Sequence, residues 1–595
     1  MAPLSSLVIA RFKRLPRRSG EVWQGGVVRA RTWVQEPDGS VRRPWAAVWI
    51  STAMHLMNVR LAEAAAEADA APDASLALQV LVDLGLKFAH CRPTRLEVAD
   101  DALGAQLVTA LDDPEISVSV RADLPDVDRI VRDMEAADRD APPPPDALDA
   151  PGVTVERMRA FAAAARDFYV AAPWQHLSDA DLIHVEAPVA SGFKYLSVLG
   201  AAGQTFGLGF FTNPQQFDAV QEGADPETVL RDHGKWAVLY GPVEDMPFGD
   251  GDLWEQHHLP VAGPSAYPVA FWFGPDHELR RPRAKELADL EAILRVFSRS
   301  TEAEIDSGRW SHDVPSHDGP RTVKLAIPAL LVPIDDRLST AATPLDQAEE
   351  LIYRTFDARG RRRLQLARRA LELSADCADA YVVLAQASHS LEDACALYEK
   401  GVAAGERALG PDVFAQQAGH FWGMVGTRPY MRARFGLARC LEELDRREEA
   451  IGHYRELLRL DPGDNQGVRY SLLASLLLVG RDDEAAVLIE QFGDEPTALW
   501  RYGRALSVFR REGDSRAARE CLRVALRANR HVPAQLLADD DEPPDPPPAS
   551  YTPGSREEAV ICDSELGEAW WATPEAISWL RAQAPTRKSA QRRKR

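Results

Sequence analysis

Between residues 366 and 580 a pattern of small and large side chains returns about every 34 positions, and no other feature constrains this chain as strongly. In residues 434–462 the key positions are Leu437, Ala438, Leu441, Ala450, Tyr454, Leu457 and Pro462. Leu437 and Ala438 fall on the first helix of a hairpin and Ala450 on the second, where a small residue lets two backbones approach closely. Tyr454 and Leu457 follow on the same helical face. Pro462 cannot continue a helix and ends it. The next unit repeats the layout with Leu472, Gly480, Ala485 and Ile489, and a third with Trp500, Ala505, Gly513, Ala518, Leu522 and Ala525. The anchors Ala450, Ala485 and Ala518 lie about one repeat apart. A degenerate unit precedes them: Tyr381, Leu384, Ala385, then Ala394, Tyr398 and Gly401, with a long second helix expected over 391–409 and a loop at Gly410-Pro411.

A helix-turn-helix unit of this length is similar to the tetratricopeptide repeat. Residues 366–580 are therefore expected to form an all-α solenoid, not an ordinary bundle with coincidental spacing, because three consecutive units agree. The end of this stretch carries His531-Val532-Pro533-x-x-Leu536-Leu537, then Gly554-Ser555-x-x-Glu558-Ala559, then Trp570, Ala576 and Trp579-Leu580. These segments resemble the tail of the suppression-of-tumorigenicity-seven family and its bacterial relatives, over about residues 380–580, a third of the chain. The resemblance implies a repeat fold and a scaffold role. Its eukaryotic members are membrane-anchored and this chain lacks their apolar anchors, so it implies no location. It supplies no catalytic residues.

In arrays of this kind the first helix of each pair lines the concave side. Its exposed positions are expected to be Arg432, Phe435, Arg439 and Glu442 around Leu437, Tyr470 beside Leu472, and Trp500, Ser507 and Arg510 around Ala505. Arginine pairs bidentately with carboxylates, and aromatic rings supply rigid apolar contact area. Arg432, Phe435, Arg439, Tyr470, Trp500 and Arg510 are thus the expected groove for an acidic peptide or a terminal carboxylate. In the competing reading the arginines pair with neighbours such as Glu442 and Glu443, and the aromatics pack between repeats.

The first half reads differently. Residues 1–140 suggest an α/β domain, with strands at 45–50, 96–98 and 116–120 alternating with helices at 75–88, 104–111 and 124–137. That alternation predicts a mainly parallel sheet. The pieces Arg92-Pro93-x-x-Leu96-x-Val98, Val118-x-Val120 and Leu124-Pro125-x-x-Asp128 are similar to an uncharacterised bacterial domain of nuclease-like appearance. A nuclease needs carboxylates converging on metal. Glu97, Asp100 and Asp101 cluster after one strand with no second acidic strand end, as in a solvated turn. Residues 141–151, with Pro142-Pro143-Pro144-Pro145, predict a stiff linker.

Residues 152–330 suggest an α+β domain, with helices at 155–169 and 283–297 and strands at 236–240, 269–273 and 323–327. Residues 193–200 and 206–211 form a hairpin around Ala201-Ala202-Gly203. Gly200, Gly203, Gly207 and Gly209 fit neither a Walker loop nor a dinucleotide fingerprint, because a strand follows where a helix should begin. This region resembles an uncharacterised bacterial family through Leu199-Gly200-x-x-Gly203 and Arg281-Pro282. His257-His258 has no partner at ligand spacing. His312-Asp313 and His317-Asp318 form a doubled motif in a turn-rich stretch, read as a polar loop and not as a zinc site. No Ser/His/Asp or Cys/His set stands out. Residues 331–365 are expected to connect to the repeats, and 581–595 to form a basic disordered tail.

A formal charge of −21 opposes nucleic acid and anionic membranes. The six cysteines lie far apart with no Cys-x-x-Cys pair, against a disulfide or zinc framework. The first residues put their basic side chains after the apolar stretch, the reverse of a signal peptide. The longest apolar runs, 325–334 and 472–479, fall short of the roughly 20 residues a membrane helix needs. A cytoplasmic location follows, and Ala, Arg and Asp richness suggests a bacterial source. The sequence therefore predicts an adaptor that needs no cofactor, metal or catalytic residue and binds a partner peptide or helix through its repeats. The rival is a metal-dependent hydrolase or nuclease-like enzyme in residues 1–330 with the repeats as targeting arm. Convergence of Glu97, Asp100, His257 and His312 would favour that rival.

Overall fold

The computed structural model describes residues 4–35, 41–62, 74–137, 144–187, 189, 191–224, 234–275, 278–334, 343–493, 495–538 and 550–583. By internal packing the chain divides into two units, Met1–Glu302 with Trp310–Ala326, and Ala303–Arg309 with Ile327–Arg595. The first contains the sheets and the second is helical.

The first sheet has five strands: β1 (Val22–Arg29), β2 (Trp45–Ser51), β3 (Met57–Leu61), β4 (Arg95–Val98) and β5 (Ser117–Val120), in the order β3-β2-β1-β4-β5. It is mixed, which corrects the expectation of a mainly parallel sheet. β2 runs antiparallel to β1 and β3, whereas β1, β4 and β5 are mutually parallel. The expectation failed because β1 was not legible as a strand. Gly25-Gly26 interrupts its alternation, as glycine does where another group comes close. Here that group is Trp49, the cross-strand partner of Gly25, whose ring occupies the space a Cβ would need. Helices α1 (Ser6–Lys13), α2 (Ala74–Asp83), α3 (Asp101–Leu111) and α4 (Pro125–Ala137) flank the sheet. The expected helix at 75–88 is present, with its last turn, Leu84–Ala89, wound as a π-helix.

The second sheet has eight strands: β6 (Ile183–Ala187), β7 (Tyr195–Leu199), β8 (Phe206–Phe211), β9 (Lys235–Gly241), β10 (Tyr267–Phe273), β11 (Leu279–Arg280), β12 (Arg309–Val314) and β13 (Arg321–Ala326). Their order is β11-β10-β9-β8-β7-β6-β13-β12. Helices α5 (Val155–Ala171), α6 (Pro214–Gln221), α7 (Phe248–His257) and α8 (Ala284–Phe297) accompany it, with α5 packed on α8. β7 and β8 form the expected hairpin. Gly207 has φ +147°, and a side chain there would collide with the Val238 carbonyl, so its glycine serves close strand packing. His312-Asp313 lies on β12, which corrects the loop reading: the exposed Ser311 and Asp313 alternate with Trp310, His312 and Val314, of which Trp310 and Val314 are buried.

Of the proline-rich stretch 141–151, residues 141–143 lie outside the described residues, and the remainder is anchored to the fold. Ala147 donates its N–H to Asp250 (2.7 Å), and Asp250 pairs with Arg281; the two are 1% and 4% exposed. Arg31 reaches Glu135 (3.1 Å) and Asp146 (3.0 Å), bracing that segment against the first sheet's α4.

The helical unit begins earlier than the repeat pattern. The stretch expected to be a connector carries α9 (Pro344–Arg354) and the start of α10 (Gly360–Leu373). These pack together around Leu351, Leu366 and Ala370. Then follow α11 (Ala378–Gln386), α12 (Leu391–Gln416), α13 (Arg428–Glu443), α14 (Arg447–Leu460), α15 (Val468–Leu478), α16 (Asp482–Phe492), α17 (Ala498–Glu512), α18 (Arg516–Ala528), α19 (Val532–Leu536), α20 (Arg556–Trp571) and α21 (Pro574–Gln583). Helix α12 breaks at Gly410, which has φ 72° and ψ 160°, just where a loop was expected. Leu437, Ala450, Tyr454, Ala485 and Ala518 are all buried in one continuous core. Successive helices from α9 to α18 pack on one another, and α15 also touches α17. The basic tail beyond residue 583, with Arg587-Lys588 and Arg592 to Arg595, lies outside the described residues.

Candidate functional site: the first-helix face and the C-terminal helix

Helix α20 decides what the first-helix face can do. Its start is encoded locally: Ser555 accepts the Glu558 N–H (3.2 Å), and Glu557 and Glu558 occupy the positive end of the helix. Ala559, Cys562, Leu566 and Trp570 recur at helical spacing and are all buried. That stripe seats α20 on the first helices α15 and α17, and Trp570 meets the Tyr502 ring edge-on at 6.4 Å. Carboxylates on another side of α20 reach the neighbouring pair. Glu565 accepts from Arg439 (3.0 Å) and Glu568 from Arg447 (2.9 Å). Glu558 is buried yet satisfied, accepting from the Ala498 N–H (3.0 Å), Asn529 Nδ2 (3.0 Å) and the Gly554 N–H (2.7 Å).

Each residue of the expected groove has a contact within the chain. Arg432 donates Nε to Asp379 of α11 (2.8 Å). Phe435 packs against Tyr454 at 6.1 Å. Arg439 also contacts Ser471 (3.2 Å) and Glu442 (3.5 Å). Tyr470 lies under Arg469 (4.4 Å) and edge-on to Trp500 (6.0 Å). Arg510 donates to the Leu477 carbonyl and pairs with Asp482 (3.2 Å). Trp500 and Ser507 are each 1% exposed, which corrects their reading as exposed groove positions. Residues 498–512 are bounded by neighbouring helices and by α20 and α21, so positions that would face solvent in an open array are covered.

Where α13, α15 and α20 meet lies a cavity of about 200 Å³, lined by Arg439, Glu442, Arg447, Ser475, Glu565 and Glu568 among others. Burial pushes the Glu442 carboxyl up, against the hydrogen bonds it accepts from Tyr454 (2.5 Å) and Ser475. Burial beside that carboxylate pushes the Tyr454 hydroxyl up too. Burial alone would lower the Arg439 guanidinium, but the negative charges of Glu565 and Glu442 beside it raise it. The arrangement holds carboxylates on fixed guanidinium groups. Elsewhere in the helical unit burial pushes the Cys377 thiol up to about 12 and Cys562 well above the usual range, which disfavours the thiolate at both.

The residues named for an enzyme are held apart on separate elements. Glu97 is buried on β4, accepting from Gln24 (2.9 Å) with Arg95 (3.1 Å) and Arg121 (3.5 Å) beside it. Asp100 caps α3 through the Ala102 N–H (2.8 Å). His257 ends α7, His312 lies on β12, and Asp318 forms two hydrogen bonds with Arg157 (2.9 and 2.6 Å). Among the described residues, no three His, Cys, Asp or Glu side chains are placed to hold a metal ion. Sequence reasoning missed Glu565 and Glu568 and noted Glu558 only within a resemblance. Their signal was present as acidic positions beside the Ala559, Cys562, Leu566 and Trp570 stripe.

Residues 159–238 match the family model described as "Domain of unknown function (DUF7309)". The match runs from within α5 into β9 and includes Leu199-Gly200-x-x-Gly203; Arg281-Pro282 falls outside it. A solved structure, "Crystal structure of YrrB: a TPR protein with an unusual peptide-binding site", is similar at 19% identity over 31% of this chain and 84% of that one, with a TM-score of 0.23. A score of that size establishes neither fold nor function. No curated protein matches. Among the described residues no helix is long and apolar enough to cross a membrane.

Proposed function

We propose that the helical unit is a tetratricopeptide-like solenoid acting as a cytoplasmic protein-interaction scaffold, in keeping with the resemblance to the suppression-of-tumorigenicity-seven family. Its first-helix face binds an amphipathic helix or acidic peptide of a partner. The observation that carries this reading is α20, which lies on that face with an apolar stripe on α15 and α17 and carboxylates on Arg439 and Arg447. It is the kind of segment such a face accepts. A partner segment of the same chemistry continues the seat toward α13, α11 and α9. There Arg432 and Phe435 are half-buried, and Tyr353 and Phe356 are 62% and 76% exposed. Affinity capture from the native host tests this, comparing the full chain with Arg432→Ala/Phe435→Ala and Tyr353→Ala/Phe356→Ala variants. A partner should be retained by the first and lost, in a salt-dependent way, from the variants. Equal capture by all three would refute the assignment.

A further inference from the structure

The sheet-containing unit has a concave feature of its own. It is a cavity of about 540 Å³ between the end of β1, the ribbon made by Val34–Gln35 and Val41–Arg42, and helix α7. That volume falls in the range of sites for small organic molecules. We propose that it binds a planar aromatic anion of mononucleotide size.

The apolar component comes first. Trp33 stacks on Phe248 with centroids 5.7 Å apart and planes at 29°. Trp254 and Tyr267 add aromatic wall. A flat ring is the shape such walls accept. The cationic component is unusual in a chain of charge −21: Arg29, Arg42 and Arg43 line the cavity against Glu244 and Glu255. Two of these guanidinium groups are fixed in place. Arg43 sits over the Phe248 ring (5.0 Å) and pairs with Asp252; Arg29 sits over Trp45 (4.8 Å), with Glu255 at 3.5 Å. Pre-set arginines lose little freedom on meeting an anion. Trp33 and Trp254 also bury indole N–H groups that have no acceptor in the protein. A ligand carrying acceptors would supply what the protein leaves out. The cavity walls come from both sheets' elements, a usual location for such sites.

The anion can be a phosphate or a carboxylate, so the experiment uses both. The full chain is titrated calorimetrically with AMP and with indole-3-acetate, and with adenosine and indole as uncharged counterparts. One anion or both should bind 1:1 with Kd below about 1 mM, at least about tenfold tighter than its uncharged counterpart. Binding of AMP alone identifies a phosphate site, and of indole-3-acetate alone a carboxylate site. Trp33→Ala and Arg42→Gln should each weaken that binding about tenfold while leaving the melting midpoint unchanged. If one variant melts early, the other and Tyr267→Ala carry the comparison. The inference is overturned if neither anion binds, if the uncharged compounds bind equally well, or if well-folded variants bind as the parent does.

Discussion

Gly436 and Gly452 both lie within helices of one hairpin, α13 and α14, and replacing each with alanine should have opposite effects. Glycine within a helix costs about 0.5–1 kcal/mol relative to alanine, so both substitutions gain that amount from the backbone. At Gly452 nothing lies within 4 Å of the added Cβ, and the gain stands alone. At Gly436 the Cβ would overlap the ring of Tyr398, which is buried between α12 and α13 and cannot swing aside. Overpacking of that kind costs about 1–3 kcal/mol, which meets or exceeds the gain. The difference between the variants cancels the shared backbone term and isolates the helix crossing. At about 2–4 °C per kcal/mol for a unit of this size, Gly436→Ala should melt below Gly452→Ala by at least about 2 °C. Thermal unfolding of the full chain, followed by helical circular dichroism, measures it. If both variants rise together, Tyr398 does not pack on Gly436 and the α12–α13 crossing is misplaced.

Three further outcomes are expected. Ala485→Leu places a larger side chain at a fully buried crossing and should cost roughly 1–3 kcal/mol in the same melt, whereas an unchanged midpoint would remove Ala485 from the helix interface. Asp250→Ala strips the buried Arg281 guanidinium of its carboxylate, at a cost of about 3–5 kcal/mol. Amide exchange at Ala147, whose N–H donates to Asp250, should accelerate with it, and unaltered exchange would mean the pair does not anchor residues 146–149. Burial, with help from the charge of Arg434, pushes His453 down to about 4 from 6.5. The unfolded chain then takes up a proton that the folded chain refuses, so the stability His453 contributes above pH 6.5 is lost as pH falls toward 4. His453→Gln should flatten the unfolding midpoint across that window, and an identical slope would assign the acid sensitivity to other groups.

The helical half was legible because its information is local. Leu437, Ala450, Tyr454, Ala485 and Ala518 sit at fixed helical spacings, and the structure buries every one of them. Close packing was only half read, however. The alanines at 450, 485 and 518 marked second helices and those at 438 and 505 first helices, while Gly436 and Gly503 mark further approaches on the first helices, where a Cβ would meet Tyr398 and Leu473. Glycines within a helical pattern read as weaknesses until the large residue opposite them is known. β1 was missed for the same reason, since Gly25 is explained only by Trp49 across the sheet. Non-local pairing also hid the Asp250–Arg281 pair and the anchoring of Ala147. A run of prolines looks like a linker whatever its far end touches.

The groove residues were misjudged where exposure depends on a segment more than fifty positions away. Trp500 follows an aromatic-and-arginine pattern that suits a binding surface, but α20 and the adjoining helices leave it no solvent. That fact constrains the partner. A covalently joined helix competes at an effective concentration of order millimolar. A free helix of equal intrinsic affinity, present at about micromolar concentration, would hold the α15–α17 seat about one time in a thousand. A partner using that seat would therefore need to bind it about a thousandfold more tightly than α20 does. One docking along α11 and α13 faces no such competitor among the described residues. It meets Arg432, paired with Asp379, and the exposed rings of Tyr353 and Phe356. Intrinsic affinities of ordinary size suffice there, which is why the variants that separate the two seats are those at Arg432, Phe435, Tyr353 and Phe356 and not those at Arg439 and Arg510.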